Sequence, residues 1–320
     1  MIREDTGSVD LVKQKTARLS VISNTLLVAM KLAVGCAIGS VSIISEAIHS
    51  GIDLVASGIA FLSVKKASEP ADACHRFGHG KFEDFSGFIE AILIFVAALM
   101  IIREAAGTLI AGGGGLAMEA LGFGMAVMLL SAGVNWYVSS RLMRVAKETG
   151  SIALESDAWH LRTDVYSSLA MFAGLVAIRL TGLVVLDAVF ALGVAVMIMK
   201  AACDLTGRAF SDLTDHALPL EEEERIRRII CDHSSDIVDF HALRTRRAGS
   251  ERFIDLHLVV SQDDSLQMAF DLVKHIEADI RCAFPGANVT IRVEPCARQC
   301  SACSSFCQTG EQEAGRRHRI

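Results

Sequence analysis

Two histidine–aspartate pairs, His49-x3-Asp53 and His160-x3-Asp164, lie at helical spacing in two separate apolar stretches. Side chains four residues apart share one helix face, so each pair presents an imidazole and a carboxylate together. An ionisable group inside a bilayer costs roughly 2.5–3.5 kcal/mol on insertion scales, so such groups generally line a cavity or an ion path. Two pairs facing each other would supply two imidazoles and two carboxylates, a ligand set matched to a tetrahedral divalent cation, above all zinc. Copper(I) favours sulfur, and calcium or manganese favours mostly oxygen. A single histidine in an apolar helix is more often a hydrogen-bonded structural residue. Two such pairs in the two most polar apolar segments make that reading expensive.

Three further clusters carry metal-ligating chemistry. The run Asp72-Ala-Cys-His75-Arg-Phe-Gly-His79-Gly-Lys81 could gather Asp72, His75 and His79 round a second metal at a cytoplasmic mouth, with Cys74 as a softer ligand; otherwise it is a solvated loop. Farther on, Ile254, Leu256, Leu258 and Val260 alternate with Asp255 and His257, which places His257 on the polar face of a strand. Glu294 falls on the polar face of a later strand and His241 on an earlier one, giving a candidate His241, His257, Glu294 set; exposed polar strand residues are the ordinary alternative. Finally Cys296, Cys300, Cys303 and Cys307 put four thiols within 12 residues. They could wrap one zinc or hold an iron–sulfur cluster, or form a flexible reduced tail that scavenges metal.

The elements that must position these groups follow from composition. The chain has 320 residues, is 52% hydrophobic and has a mean hydropathy of +0.41, which suits a polytopic membrane protein better than a soluble domain. A net charge of −6 leaves no basic footprint for nucleic acid. The polar start MIREDTGSVDLVKQKTARLS is not a cleavable signal, and the nine cysteines, four in the last 25 residues and the others scattered, are not a secreted disulfide framework. Stretches near 19–40, 43–64, 83–108, 116–140, 152–179 and 183–204 are each long enough to cross a bilayer. The second and fifth carry the His–Asp pairs and are expected to be inner helices. Basic residues mark the leader (Arg3, Lys13, Lys15, Arg18), the second link (Lys65, Lys66, Arg76, Lys81) and the fourth (Arg141, Arg144, Lys147), while the alternate links have none. That asymmetry puts both termini in the cytoplasm.

From about residue 211 the pattern becomes that of a soluble domain. A helix is expected at 219–234, strands at 237–247 and 251–261 around a turn at 248–250, an amphipathic helix at 265–284 and a last strand at 288–294. The order αββαβ predicts a cytoplasmic α+β, ferredoxin-like domain. The expected organisation is a leader over 1–16, a six-helix transmembrane domain over 17–210, a metal-sensing and dimerisation domain over 211–295 and a Cys-rich tail over 296–320.

Taken together, SEAIHSGIDLVAS (45–57), HRFGHGKFEDFSG (75–87), ALESDAWHLRTDVYSS (153–168), LTDHALP (213–219) and HALRTRRAG (241–249) resemble the cation diffusion facilitator family, dimeric exporters of zinc, iron and manganese. The resemblance runs from about Leu11 to Pro295. It implies that His49, Asp53, His160 and Asp164 form the transport site, with His49 in place of the commoner aspartate as in zinc-selective members. It also implies that Asp72, His75 and His79 form a loop site, and that His241, His257 and Glu294 form a cytoplasmic-domain site. Arg292 stands where some members carry a further His ligand, which removes one donor from their binuclear arrangement. Lys81 and Asp215 match a charged pair that interlocks membrane helices near the dimer interface. The implied activity is exchange of a divalent metal for protons across a membrane, expected to be a bacterial inner membrane, with Zn2+ as the leading ion and lipid and a second copy as partners. Two other classes are a membrane-embedded metalloenzyme, disfavoured by the lack of an H-E-x-x-H run or separate general base, and a metal-sensing or assembly protein with a vestigial pore.

Overall fold

The computed structural model describes residues 3–38, 41–110, 121–181 and 185–296. Two units divide at Thr214/Asp215. The first consists of long helices: α1 (Arg3–Ile38), α2 (Val41–Ala67), α3 (Lys81–Ile110), α4 (Leu121–Thr149), α5 (Ile152–Thr181) and α6 (Val185–Leu213). Among the described residues, three stretches are long and apolar enough to cross a membrane: Val9–Ala37 on α1, Lys81–Gly107 on α3 and Ala188–Leu213 on α6. Their exposed faces carry Leu26, Leu99, Met100, Val189 and Val196. Uninterrupted apolar faces of this kind are stable against lipid rather than water.

The helix α5 touches each of the other five, and α2 packs against α1, α3 and α5. This is the inner placement expected for the two helices that carry the His–Asp pairs. Leu154, Ala158, Leu161 and Val165 of α5 are buried, together with Ser156 and Asp157. Close approach of α3 to α5 depends on Gly87, where an added Cβ would lie 3.1 Å from Ile152 Cγ2. Ser156 Oγ donates to the Gly87 carbonyl at 3.2 Å in the same place. The α1 helix runs on through residue 16, and Lys13, one of the basic residues of the leader, is only 2% exposed. Its Nζ donates to Glu83 Oε1 of α3 at 2.8 Å, while Ser151 Oγ donates to Glu83 Oε2 at 2.5 Å. A buried carboxylate is tolerable only with such partners.

The second unit comprises α7 (Leu220–Cys231), β1 (Asp239–Ala248), β2 (Glu251–Val260), α8 (Leu266–Ala283) and β3 (Asn288–Pro295). Glu221, Glu222 and Glu223 fill the first turn of α7, where the helix dipole favours negative charge. Ser265 caps α8 by accepting the Met268 N–H at 3.2 Å. Strand order is β1-β2-β3, with β1/β2 antiparallel and β2/β3 parallel. A two-residue loop joins β1 to β2, and Gly249 takes φ 60 there, a conformation glycine adopts at little cost. Ile226 and Ile230 of α7, Ile276 and Ile280 of α8 and Ile254, Leu256 and Leu258 of β2 form the core. Both helices thus contribute to the apolar side of the sheet, and polar residues are left for the other.

Candidate metal centre

In the helical unit, ligand atoms of Asp53, His160 and Asp164 all lie within 4.8 Å of one another. Polar bonds from α1 brace α2 on either side of Asp53: Lys31 Nζ donates to Ser50 Oγ at 2.7 Å, and Asn24 Nδ2 to Ser57 Oγ at 3.1 Å. His160 and Asp164 occupy one face of α5, one turn apart. His160 Nε2 stands 3.0 Å from Asp53 Oδ1, with the two side chains 12% and 8% exposed. A proton held between them occupies the lone pairs that a metal would need, so metal and proton compete for one place. His49 lies on α2 four residues before Asp53, but its side chain is outside the described residues.

Sequence reasoning passed over two buried carboxylates, one of them beside this trio. Asp157 lies three residues before His160 on α5, and Glu90 lies on α3. A signal for each was present. Glu90 is the only charged residue between Asp84 and Arg103, and Asp157 shares a helix face with His160.

The second trio, Asp72, His75 and His79, also brings its ligand atoms within 4.8 Å. Asp72 organises the turn: its Oδ1 accepts the N–H groups of Cys74 at 2.8 Å and His75 at 2.6 Å. Those backbone bonds, His75 first, hold its carboxyl below the usual carboxylate range, assisted by His79 and His75. Gly78, at φ 85, makes the reversal that returns the chain toward His79. His79 is almost fully buried, and its Nδ1 lies 3.3 Å from the Glu69 carbonyl. That contact fits an Nδ1–H donor and leaves Nε2 as the ligand atom, the usual outer-shell arrangement of a metal-binding histidine. Nε2 lies 3.3 Å from Asp72 Oδ2 without hydrogen-bond alignment. A lone pair turned toward a carboxylate in this way is suited to a shared cation. Cys74 is exposed beside the turn.

The third trio lies on the polar face of the sheet. His241 and His257 are direct cross-strand partners, with ring centroids 5.2 Å apart. Glu294 reaches both, Oε1 to His257 Nδ1 at 3.1 Å and Oε2 to His241 Nε2 at 3.3 Å. A bulge between His241 and Arg244, with Ala242 at φ 53, gives β1 an extra residue beside the set. Bulges of this kind re-aim side chains. Two imidazoles and a carboxylate suit zinc with one position left open. Arg292 Nε, 3.5 Å from Glu294 Oε1, competes with a metal for that carboxylate. Asp255 faces Arg244 at 3.8 Å instead and joins none of the three sets.

Lys81 Nζ donates to the Leu213 carbonyl at 3.2 Å, joining α3 to the end of α6, and Asp215 Oδ1 pairs with Arg246 Nη1 at 3.2 Å. Of the tail thiols, Cys296 lies just past β3, where its N–H donates to the Val260 carbonyl at 2.9 Å. Cys300, Cys303 and Cys307 lie outside the described residues.

The family model of the cation efflux transmembrane domain matches residues 17–214, and that of the cation efflux protein cytoplasmic domain matches residues 218–296. An uncharacterized transporter of Synechocystis is 35% identical over 279 residues, covering 87% of this chain and 89% of that protein. The cation-efflux pump FieF of Pectobacterium atrosepticum is 33% identical over 277 residues, covering 84% and 88%. Among solved structures, CzrB in a zinc form is 41% identical over 25% of this chain and 92% of its own, with a TM-score of 0.25. The metal-bound C-terminal domain of the CzcD transporter from Thermotoga maritima is 25% identical over 24% and 94%, with a TM-score of 0.22. Helical unit and mixed-sheet unit are thus each matched in turn along the chain, and the protein belongs to the cation diffusion facilitator family of cation-efflux transporters.

Proposed function

We propose that this chain exports a divalent transition metal, zinc foremost, in exchange for protons through His49, Asp53, His160 and Asp164. The observation that carries the reading is the convergence of buried Asp53 with half-buried His160 and Asp164 between two helices of the bundle. Imidazole and carboxylate together favour zinc over copper(I) or calcium. The same atoms bind protons, and imidazole's ordinary pKa of about 6.5 lets a modest gradient reload it. Metal would enter from the cytoplasm past Asp72, His75 and His79, bind between α2 and α5, and be expelled by protons after the bundle rocks outward. The sheet set His241, His257 and Glu294 would bind cytoplasmic metal and tighten a homodimer, with Lys81 and Asp215 as the charged interlock. In this reading six helices cross a bacterial inner membrane, and both termini are cytoplasmic. The tail thiols would supply a further soft site.

Proteoliposomes with a pH dye inside, given zinc, iron(II) or manganese outside, test the proposal. Wild type should give a metal-driven pH change with zinc ranked first, and Asp164→Ala should abolish it while the protein remains folded. Wild-type zinc flux in Asp164→Ala would refute the site. Tight metal binding with no flux of any ion would favour a sensing or assembly protein, and iron(II) ranked first would change the substrate.

A further inference from the structure

Glu90 is 1% exposed and Asp157 is 0% exposed. Among the described residues, no donor reaches either oxygen of Glu90, and the neutral hydroxyl of Ser20 is the donor that acts on Asp157. The charge of Asp157 acts on both Glu90 and His160, and Ser156, its neighbour on α5, donates to the carbonyl of Gly87, one turn before Glu90, at 3.2 Å. The other cations and ligands around them are committed elsewhere. On α3, Glu83 holds Lys13 and Ser151. On α1, Lys31 donates to Ser50, and Ser20 offers Asp157 only a neutral hydroxyl. On α2, Asp53 faces His160. The helix α6 presents Ile198, Ala202, Leu205 and Ala209 to α3, with no charge among them.

Two carboxylates sealed from water, with no salt bridge to either among the described residues and within each other's field, cannot both be ionised at moderate cost. Keeping one of the two protonated is the stable solution, as in other buried carboxyl pairs. We propose that Glu90 and Asp157 form a proton-holding site behind the metal centre, and that its proton leaves when metal binds and returns when metal departs. The proposal rests on the transport reading above. A dication arriving at Asp53, His160 and Asp164 raises the local positive potential, which favours the anionic carboxylate. One carboxyl O–H bond then breaks heterolytically: the electron pair stays on oxygen, the proton goes to water, and nothing is oxidised or reduced. Exchange would therefore draw on one more proton than the metal ligands release by themselves.

The test counts protons released per zinc bound to the full-length protein, by calorimetry in buffers of different ionisation enthalpy, alongside zinc flux in proteoliposomes. Glu90→Gln should still bind zinc but release about one proton fewer per protomer. An unchanged count in Glu90→Gln would overturn the proposal and leave the transport reading intact. Absence of zinc flux in the wild type would overturn the transport reading and this one with it. Should Glu90→Gln fold poorly, the wild type still decides. Its zinc-minus-apo infrared difference spectrum should show loss of a protonated-carboxyl C=O band, and a spectrum without that loss refutes the held proton.

Discussion

The helix-bundle trio and the sheet trio use nearly the same donors, yet burial gives them different chemistry. Asp53 and His160 are about one-tenth exposed, whereas His241, His257 and Glu294 are 48%, 27% and 30% exposed. On the sheet, water and Arg292 can satisfy Glu294 whenever a metal is absent. In the bundle the donors are buried or half-buried, and a lower-dielectric interior penalises a charge left alone more heavily. On the proposed transport reading the bundle site would therefore carry either a metal or protons, which is what an exchanger needs. The sheet site can be vacant at little cost, so its occupancy can follow metal concentration, which is what a sensor needs. Imidazole and carboxylate are common to both; burial distinguishes them.

Removing a ligand from each site should break this symmetry unequally. Asp53→Ala deletes the partner of His160 and a metal donor together. We expect zinc flux to fall by at least about 100-fold, more than is typical for loss of an outer-shell partner, with the helical content retained. Stopped-flow uptake in proteoliposomes reads the rate, and a loss of only a few-fold would mean that Asp53 is structural.

Glu294→Gln is the matching change on the sheet. It removes the carboxylate that bridges both histidines but exposes no buried charge. Metal affinity of the cytoplasmic domain should drop about 10–100-fold, while maximal flux at saturating zinc changes by no more than about three-fold. Flux measured against zinc concentration separates the two effects. Flux lost as completely as in Asp53→Ala would end the division into exchanger and sensor.

Much of this contrast was legible in the sequence because it is set by local periodicity. The strand expected at 251–261 is Glu251–Val260, and the helix expected at 265–284 is Leu266–Ala283. Alternation alone placed His257 opposite the buried Ile254, Leu256 and Leu258. Helical spacing alone joined His160 to Asp164. Features that depend on distant packing were not legible. Lys13 reads as one more basic residue in a polar leader, until Glu83, seventy residues away, takes it into the bundle. The Glu69 carbonyl behind His79 is a backbone group with no sequence signature, and no turn residue announces the bulge at Ala242. Glu90 and Asp157 were visible as ionisable residues in apolar helices, but only the fold shows that both are buried and that, among the described residues, no salt bridge reaches either.

The smallest effect should arise where neither metal site is involved. Glu222 of α7 receives Arg252 Nε at 2.7 Å and Nη2 at 3.1 Å, and Arg247 Nη2 at 3.2 Å. Partial burial by itself would push the Glu222 carboxyl up, but the Arg252 hydrogen bonds and the two arginine charges outweigh it and hold it below its ordinary range. A carboxyl lowered in this way stabilises the folded domain fully above its unfolded pKa of about 4.3, and that contribution disappears as pH falls through the lower folded value. For a half-screened, forked Arg–carboxylate pair the contribution is about 1 kcal/mol. Glu222→Gln should therefore speed hydrogen exchange in α7 and at the β1–β2 end of the sheet by about five-fold at pH 7. The gap from wild type at matched pH should close on acidification below about pH 4, since intrinsic exchange rates cancel in that ratio. Zinc flux at neutral pH should stay within about two-fold of wild type. A Glu222→Gln flux defect as large as that of Glu294→Gln would mean that general stability of the sheet domain, rather than metal on its polar face, sets the transport rate.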